Sequence, residues 1–422
     1  MLCGIAGRPL SLVQPGGKMR TGGLRCLLCA AVAVLLAGVT GCAAQSGAPE
    51  ATAAACDSPG VTADQVRIGL VVSDSGTGSL AFSSARAGVD ARLGLANAEG
   101  GVHGRKVVYD WQDDKASQSD NAQVVSDLVD GDSVFGILSV SIALGGSLDN
   151  TEKQGVPVVG LAVESWARYQ NLFAYAYQTS PQTVGRYIQA AGGKKVGILV
   201  TGSQDSVLST TNLYRDAFRQ IGLDSTDAIS FASASSSPLR AAQQLAAAGA
   251  DSLLGFTSAE DMAAVIGAAR QANLNLAASV SLSGYARSTL SSLGRALAGV
   301  SIPVYFRPFE AGGAGLDRYR DAMVRYSPET TQPEQEFAMY GYLFADMFLR
   351  GLDVAGDCPT RDSFMTGLRQ QRSYDADGLL APINLGTNAK NPLSCYAFVK
   401  VNPAGTAFDV AKERLCADGT TG

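Results

Sequence analysis

One histidine, His103, stands in 422 residues. A histidine-rich zinc site cannot be assembled from it. A Ser-His-Asp triad would have to use His103 itself, which lies in a glycine-rich turn with no G-x-S-x-G elbow in the chain. His103 is therefore expected to be a solvated turn residue. Charge is scarce as well. Asp, Glu, Lys and Arg make up 17% against 46% hydrophobic residues, and the net charge is −5. Such a chain is globular rather than disordered, and its acidic balance argues against a nucleic-acid partner, which needs a basic face. Beyond the N-terminus no apolar run reaches the roughly 20 residues that span a bilayer.

What is present begins with "MRTGGLRCLLCAAVAVLLAGVTGC" from Met19. Arg20 and Arg25 precede an apolar run from Cys26 to Val39 and then small residues, the order of a secretory signal. Residues 1–41 are read as the signal segment, with Met19 as the start and Met1 to Lys18 as upstream material. "VTGC", Val39 to Cys42, resembles a bacterial lipobox, which implies lipidation of Cys42 and anchoring at the cell membrane, outside the cytoplasm. Residues 42–60 then read as a lipidated tether of small and polar residues. Of eight cysteines, Cys3, Cys26 and Cys29 fall in or before the signal and Cys42 goes to lipid. Cys56, Cys358, Cys395 and Cys416 remain, an even number in an exported chain, and they point to two disulfides with three possible connectivities. The preferred pairing is Cys358 with Cys395 and Cys56 with Cys416.

From Val66 the pattern alternates. "VRIGLVV" is a β-branched run suited to a buried parallel strand, and "SLAFSSARAGVDARLGLANAE" is a helix. "RKVVYDW", "SQSDNAQVVSDLVD" and "SVFGILSV" continue as strand, helix and strand. This order means βαβ units and a parallel sheet covered on both faces. The alternation pauses near "LFAYAYQTSPQTVGRYIQAAGGKK" and restarts at "KVGILVTG", giving a second unit of similar size. Helices follow at "GLDRYRDAMVRY" and "QEFAMYGYLFADMFLRGLDVAG", and "SCYAFVKVNPAGTAFDV" reads as a hairpin turning on "NPAG". The expected fold class is α/β, with two doubly wound lobes.

"NAEGGVHGRKVVYDWQDD", Asn97 to Asp114, joins the first helix to the second strand. Its glycines accept a left-handed cap, and Asp113, Asp114 or Ser117 can cap the next helix. With the helix after it, the stretch resembles the signature of the leucine/isoleucine/valine-binding protein family, the type I periplasmic solute-binding proteins of ABC importers. Further matches lie in order: "GVTADQVRIGLVV", "EKQGVPVVGLA", "EDMAAVIGAARQANLN", "MYGYLFADMFLRGLDVAG" and "YDADGLLAPINLGTN". The resemblance covers roughly Val61 to Asp409. It implies two lobes joined by three crossovers: lobe I at 61–181 and 308–392, lobe II at 182–307 and 393–422. It also implies a monomeric receptor that holds a small polar solute in the interlobe cleft and delivers it to ABC permease subunits, with no cofactor and no metal.

The family's cleft loops map onto four stretches. "SDSGTGSLAF" places Phe82 near a family aromatic. "LSVSIA" offers Ser139 and Ser141 to a carboxylate, although Val140 separates serines that are adjacent in the family. "AVESW" offers Ser165 and the backbone of Val163. "FTSAEDMA" puts Asp261, with Glu260 beside it, where family amino-acid binders hold an acid against the ligand ammonium. "GSQDSVLSTT" lacks the tyrosine of the family's D-x-Y-G loop, none occurring until Tyr214, which opens the ligand class beyond α-amino acids. Three other readings compete. "GTGSLA", Gly76 to Ala81, fits a dinucleotide fingerprint, but Leu95 and Ala96 stand where its acid belongs, so an enzyme is not expected. A receptor of the same fold could signal to a membrane partner instead. A surface protein that has lost its ligand is the third.

Overall fold

The computed structural model describes residues 56–76, 79, 82–201, 208–232 and 235–421. The signal segment, Met19, the lipobox cysteine Cys42, the tether up to 55, part of the Gly76–Ala81 fingerprint and most of the "GSQDSV" loop lie outside the described residues. Two sheets organise the rest. The first has five strands in the order β2-β1-β3-β4-β5, all parallel. They are β1 (Gln65–Val72), β2 (Lys106–Asp113), β3 (Ile137–Val140), β4 (Val158–Gly160) and β5 (Leu172–Phe173). Helices α1 (Ala85–Ala98), α2 (Gln118–Ser126) and α3 (Leu148–Lys153) connect them.

The apolar run "VRIGLVV" predicts a strand buried on both faces, and β1 is central, paired with β2 on one side and β3 on the other. Its residues Ile68, Leu70 and Val72 share one core with Leu138, Val140, α1 and helix α10 (Glu336–Ala355). Val71 faces the opposite core with Ile137, Val158, Val125, Leu148 and Trp166. The first helix starts later than its sequence pattern suggests, at Ala85. Phe82, just before it, is instead buried edge-on against Phe337, with ring centroids 4.7 Å apart.

The second sheet has seven strands in the order β12-β11-β10-β9-β8-β6-β7. They are β6 (Lys195–Val200), β7 (Asp224–Ser230), β8 (Ser252–Phe256), β9 (Ala278–Ser281), β10 (Ser301–Val304), β11 (Cys395–Val401) and β12 (Phe408–Cys416). The first five are parallel, and β11 and β12 close the edge as an antiparallel hairpin. Asn402 and Gly405 hold its turn, as "NPAG" predicts. Helices α4 (Pro181–Ala190), α5 (Leu208–Gln220), α6 (Pro238–Ala247), α7 (Ala259–Gln271) and α8 (Arg287–Leu293) belong to this unit.

The chain passes between the units three times: after β5, after β10, and before β11. Between the second and third passages come α9 (Ala314–Tyr326), α10 and α11 (Arg361–Arg369). Helices α9 and α10 lie on α1 and α10 also on β3 and β4, so they complete the first unit. The crossovers are stitched together. Ser180 N–H donates to Leu393 O at 2.9 Å, and Arg307 N–H donates to Leu379 O at 2.7 Å. At the crossing of α1 and α10 the backbones nearly touch. A methyl group added at Gly88 would sit 1.8 Å from Ala338 O, and one at Gly341 would sit 2.1 Å from Ala85 O.

The disulfides differ from the preferred pairing. Cys56 bonds Cys358, and Cys395 bonds Cys416. Cys395 and Cys416 are direct partners in the register of the β11–β12 hairpin. That register cannot be read from cysteine spacing alone, and it leaves Cys56 to meet Cys358 just beyond α10. Arg105, fully buried, braces this corner, donating to Thr62 O at 2.8 Å and to Asp357 O at 2.6 Å. His103 is an exposed turn residue, as expected, and its ring also has partners. Its Nδ1 lies 3.0 Å from an Asp357 carboxylate oxygen and its Nε2 lies 2.9 Å from Asp353 O.

Candidate functional site

In open parallel sheets, ligands sit beyond the carboxyl ends of the strands. At that end of the first sheet a buried carboxylate organises the loops. Asp114 follows β2 and is fully buried. Ser73 Oγ donates to it at 2.8 Å, Asn121 Nδ2 at 2.9 Å and Ala116 N–H at 3.1 Å. The Ser141 hydroxyl donates to it as well, while Ser141 Oγ accepts from Ala143 N–H at 2.8 Å. A hydroxyl has one proton, and that of Ser141 is committed to Asp114. Neighbouring Asp113 shapes the loop after β1, accepting from Asp74 N–H at 3.0 Å and Ser75 N–H at 3.2 Å. These hydrogen bonds hold the Asp113 carboxyl below its usual range, against a desolvation effect that raises it. The helix cap that the "DD" pair could have supplied comes from Ser117.

Ser139 sits one pleat deeper on β3, fully buried, and its Oγ has no hydrogen-bond partner among the described residues. Its register partner is Gly160 at the end of β4. That strand leads to Val163, whose backbone is extended (φ −101°, ψ 166°) and opens the short 3-10 turn carrying half-buried Ser165. Ser139 lies in β3, Ser141 directly after it, Val163 and Ser165 follow β4, and Phe82 follows β1 in the segment before α1.

Glu260 and Asp261 lie apart from these, in the first turn of α7 after β8. Ser258 caps the helix, accepting from Asp261 N–H at 3.1 Å. The Asp261 carboxylate is buried and accepts from Thr201 Oγ1 at 2.9 Å, so it bridges the ends of β6 and β8. Glu260 is exposed. Tyr214, the first tyrosine after the atypical loop, is buried against Phe256 and hydrogen-bonds Thr179, and burial pushes its hydroxyl up to about 12.

A further group, absent from the sequence-based candidates, occupies the junction of the two units. Glu336 opens α10, and Tyr340 one turn later donates to its Oε1 at 2.8 Å. Tyr175 lies just after β5 and Tyr305 directly after β10, so each marks a crossover; both act electrostatically on the same cluster. Aromatic contacts run through it, from Phe82 to Phe337, Phe337 to Tyr340, and Tyr340 to both Tyr175 and Phe306. Glu336 keeps some solvent access yet is surrounded by protein, and this burial raises its carboxyl above the usual range. The signal was present: Glu336 is the one charged residue in the first half of α10, "EFAMYGYLF".

Contacts beside it tie the units together. Ala286, after β9, pairs its backbone with Gln335. Arg287 Nε donates to Glu334 at 2.9 Å, and Arg320 holds the other Glu334 oxygen at 2.9 Å. Tyr285 donates to Glu310 at 2.7 Å. A separate recess of about 230 Å³ runs along two crossovers, lined by Tyr305, Arg307, Leu379, Leu393 and Tyr396 among others, and contains none of the candidate ligand residues. Among the described residues, no group of three or more His, Cys, Asp or Glu is placed to hold a metal ion, and no helix is long and apolar enough to cross a membrane.

Comparison with known proteins agrees with this architecture. Residues 65–407 match the family described as periplasmic binding protein. No curated protein matches the sequence. Among solved structures, a fatty acid ABC transporter substrate-binding protein from Thermomonospora curvata aligns with a TM-score of 0.69 at 18% identity, covering 86% of this chain and 96% of that one. A branched-chain amino acid transporter substrate-binding protein from Streptococcus pneumoniae, in complex with isoleucine, gives 0.67 at 14% identity over 82% and 98%. An ABC transporter solute-binding protein from R. palustris, in complex with benzoate, gives 0.65 at 15% identity over 82% and 95%. At these identities the structures show a shared fold. With the family match across most of its length, the chain belongs to the type I periplasmic binding proteins, a family of solute-binding proteins whose members include the leucine/isoleucine/valine-binding proteins.

Proposed function

We propose that this chain is an extracytoplasmic solute receptor of an ABC importer, tethered to the membrane through lipid on Cys42. Lobe I comprises 61–181 and 308–392, lobe II 182–307 and 393–422, and the chain works as a monomer. It captures an amino acid or similar small polar solute in the cleft and presents it to permease subunits, without covalent chemistry. The observation that carries this reading is the three-crossover arrangement, with polar loops at the carboxyl ends of both sheets.

The relatives named above handle isoleucine, benzoate and fatty acid, which share a carboxylate. In this chain the Ser141–Ala143 and Val163–Ser165 loops are the proposed carboxylate side. Because the Ser141 proton is committed to Asp114, backbone N–H groups supply most of the donors there. Asp261, with Glu260 at the rim, is the proposed acid on lobe II, and Phe82 an apolar wall. Closure of a hinge around solute buries these polar groups, and specificity follows because each one left unpaired costs about 1–3 kcal/mol.

A thermal-shift screen of the chain from Ala43 onward, against amino acids, amides, polyamines and short carboxylates, tests the proposal. A solute at about 100 times its dissociation constant is expected to add about 2.7 kcal/mol of apparent stability. An amino-acid shift abolished in Asp261→Ala supports the assigned acid. No shift with any solute would remove the receptor reading.

A further inference from the structure

Glu336 is a carboxylate at the meeting point of the two units, with no cation opposite it among the described residues. Among the described residues, the groups that act on it are hydroxyls. Tyr340 donates from its own helix, Tyr175 approaches from the crossover after β5 and Tyr305 from the crossover after β10. Tyr214 stands behind Tyr305 through Thr179. The nearest acid in sequence, Glu334, is turned to Arg287 and Arg320. No Lys, Arg or His among the described residues faces Glu336. A carboxylate in such surroundings either keeps a proton or waits for a positive partner, because an unpaired buried charge is costly.

The surroundings also fit a cation. The rings of Tyr175, Phe306, Phe337 and Phe82 form one contiguous aromatic cluster with Tyr340, the residue that donates to the carboxylate. Ring faces attract cations within about 6 Å, most strongly where water is excluded. Glu336 sits at the first turn of α10, immediately after the Gln335–Ala286 bridge that joins the units. A solute held there would touch both units and the hinge between them.

Building on the solute-receptor reading, we propose that Glu336 and its tyrosine ring are the specificity-determining end of the cleft, and that they select solutes carrying an ammonium or guanidinium group. Binding of such a cation displaces the proton that burial encourages Glu336 to keep. Affinity for the cation therefore rises with pH through the Glu336 titration and then levels off. The tyrosines do not contribute to this dependence, because burial holds Tyr175, Tyr305 and Tyr340 above their ordinary range.

The test is calorimetric titration with matched solutes that differ in the cation: leucine against 4-methylpentanoate, putrescine against 1,4-butanediol, and choline against 3,3-dimethylbutanol. Each is measured at about pH 5 and about pH 8 on the wild-type chain, Glu336→Gln and Tyr340→Phe. The cationic member of a pair is expected to bind more tightly at the higher pH and to lose about 30-fold or more in Glu336→Gln. Tyr340→Phe, which removes the hydrogen bond favouring the carboxylate, is expected to shift the pH profile upward without abolishing binding. A solute that binds Glu336→Gln as well as wild type, with an unchanged pH profile, overturns the role of Glu336 and leaves the receptor reading intact. Failure of every solute to bind wild-type chain overturns both.

Discussion

Glu336 and Asp114 are two interior carboxylates with opposite circumstances. Asp114 is surrounded by donors from the loops after β1, β2 and β3 and from α2. Glu336 has a single tyrosine donor, and its folded-state pKa lies above the ordinary 4.5. For an acid shifted upward, the folded state binds more protons than the unfolded state between the two values, so stability falls as pH rises through the folded value. Urea unfolding across pH is therefore expected to show wild type losing stability relative to Glu336→Gln from about pH 4.5 upward, with a constant gap at neutral pH in favour of the variant. A gap that widens in the opposite direction would mean the carboxylate is stabilised as an anion. Glu310 and Asp90 are shifted upward too, but they are common to both proteins and cancel in the difference. Neither carboxylate's environment was legible in the sequence. Asp113 and Asp114 were read with Ser117 as candidate helix caps, and the role of Asp114 stayed hidden because its partners Ser73 and Ser141 come from segments distant in the chain. Glu336 drew no attention in the sequence, because Tyr175 and Tyr305, which approach it, come from two crossovers distant in the chain.

Elements were far more legible than sites. Period and punctuation located β1, α1, β2, α7, α10 and the final hairpin, because each is long enough for its burial pattern to repeat. Short pieces offer no period: β5, with two residues, escaped, and β4, with three, was legible only through the family resemblance of "EKQGVPVVGLA". The stretch where the alternation paused contains α4, a helix whose proline start lies directly after the first crossover. Close helix contact was also unreadable, since a glycine in a helical pattern does not announce what lies against it. At Gly88 the opposing group is Ala338 O, and the helices cannot separate without disturbing the core of the first unit. Propensity alone predicts that Gly88→Ala stabilises an exposed helix by about 1 kcal/mol. The expected result in this fold is the reverse, a loss of about 2 kcal/mol or more from overpacking, read from the denaturant midpoint. Gly267 on α7 has nothing within 4 Å of its added methyl, so Gly267→Ala serves as the control with the opposite sign.

At the scale of the molecule, the order of family-like motifs identified two units and three passages between them, while connectivity of the cysteines did not follow from order. Cys56–Cys358 closes a loop of 302 residues, whereas Cys395–Cys416 spans 21 across one hairpin. In the chain-entropy account the longer loop constrains the unfolded chain more, with typical contributions of about 2–5 kcal/mol. Replacing both Cys56 and Cys358 with alanine is expected to lower the thermal midpoint more than replacing Cys395 and Cys416. Equal losses would show that local strain or residual structure outweighs loop length.

The position of Cys56 has a mechanical consequence. A pull on the chain upstream of it enters the fold at Cys358 and at the Arg105 brace, both on the first unit, and reaches none of the three crossovers directly. In the tethered receptor proposed above, such a load enters through the first unit.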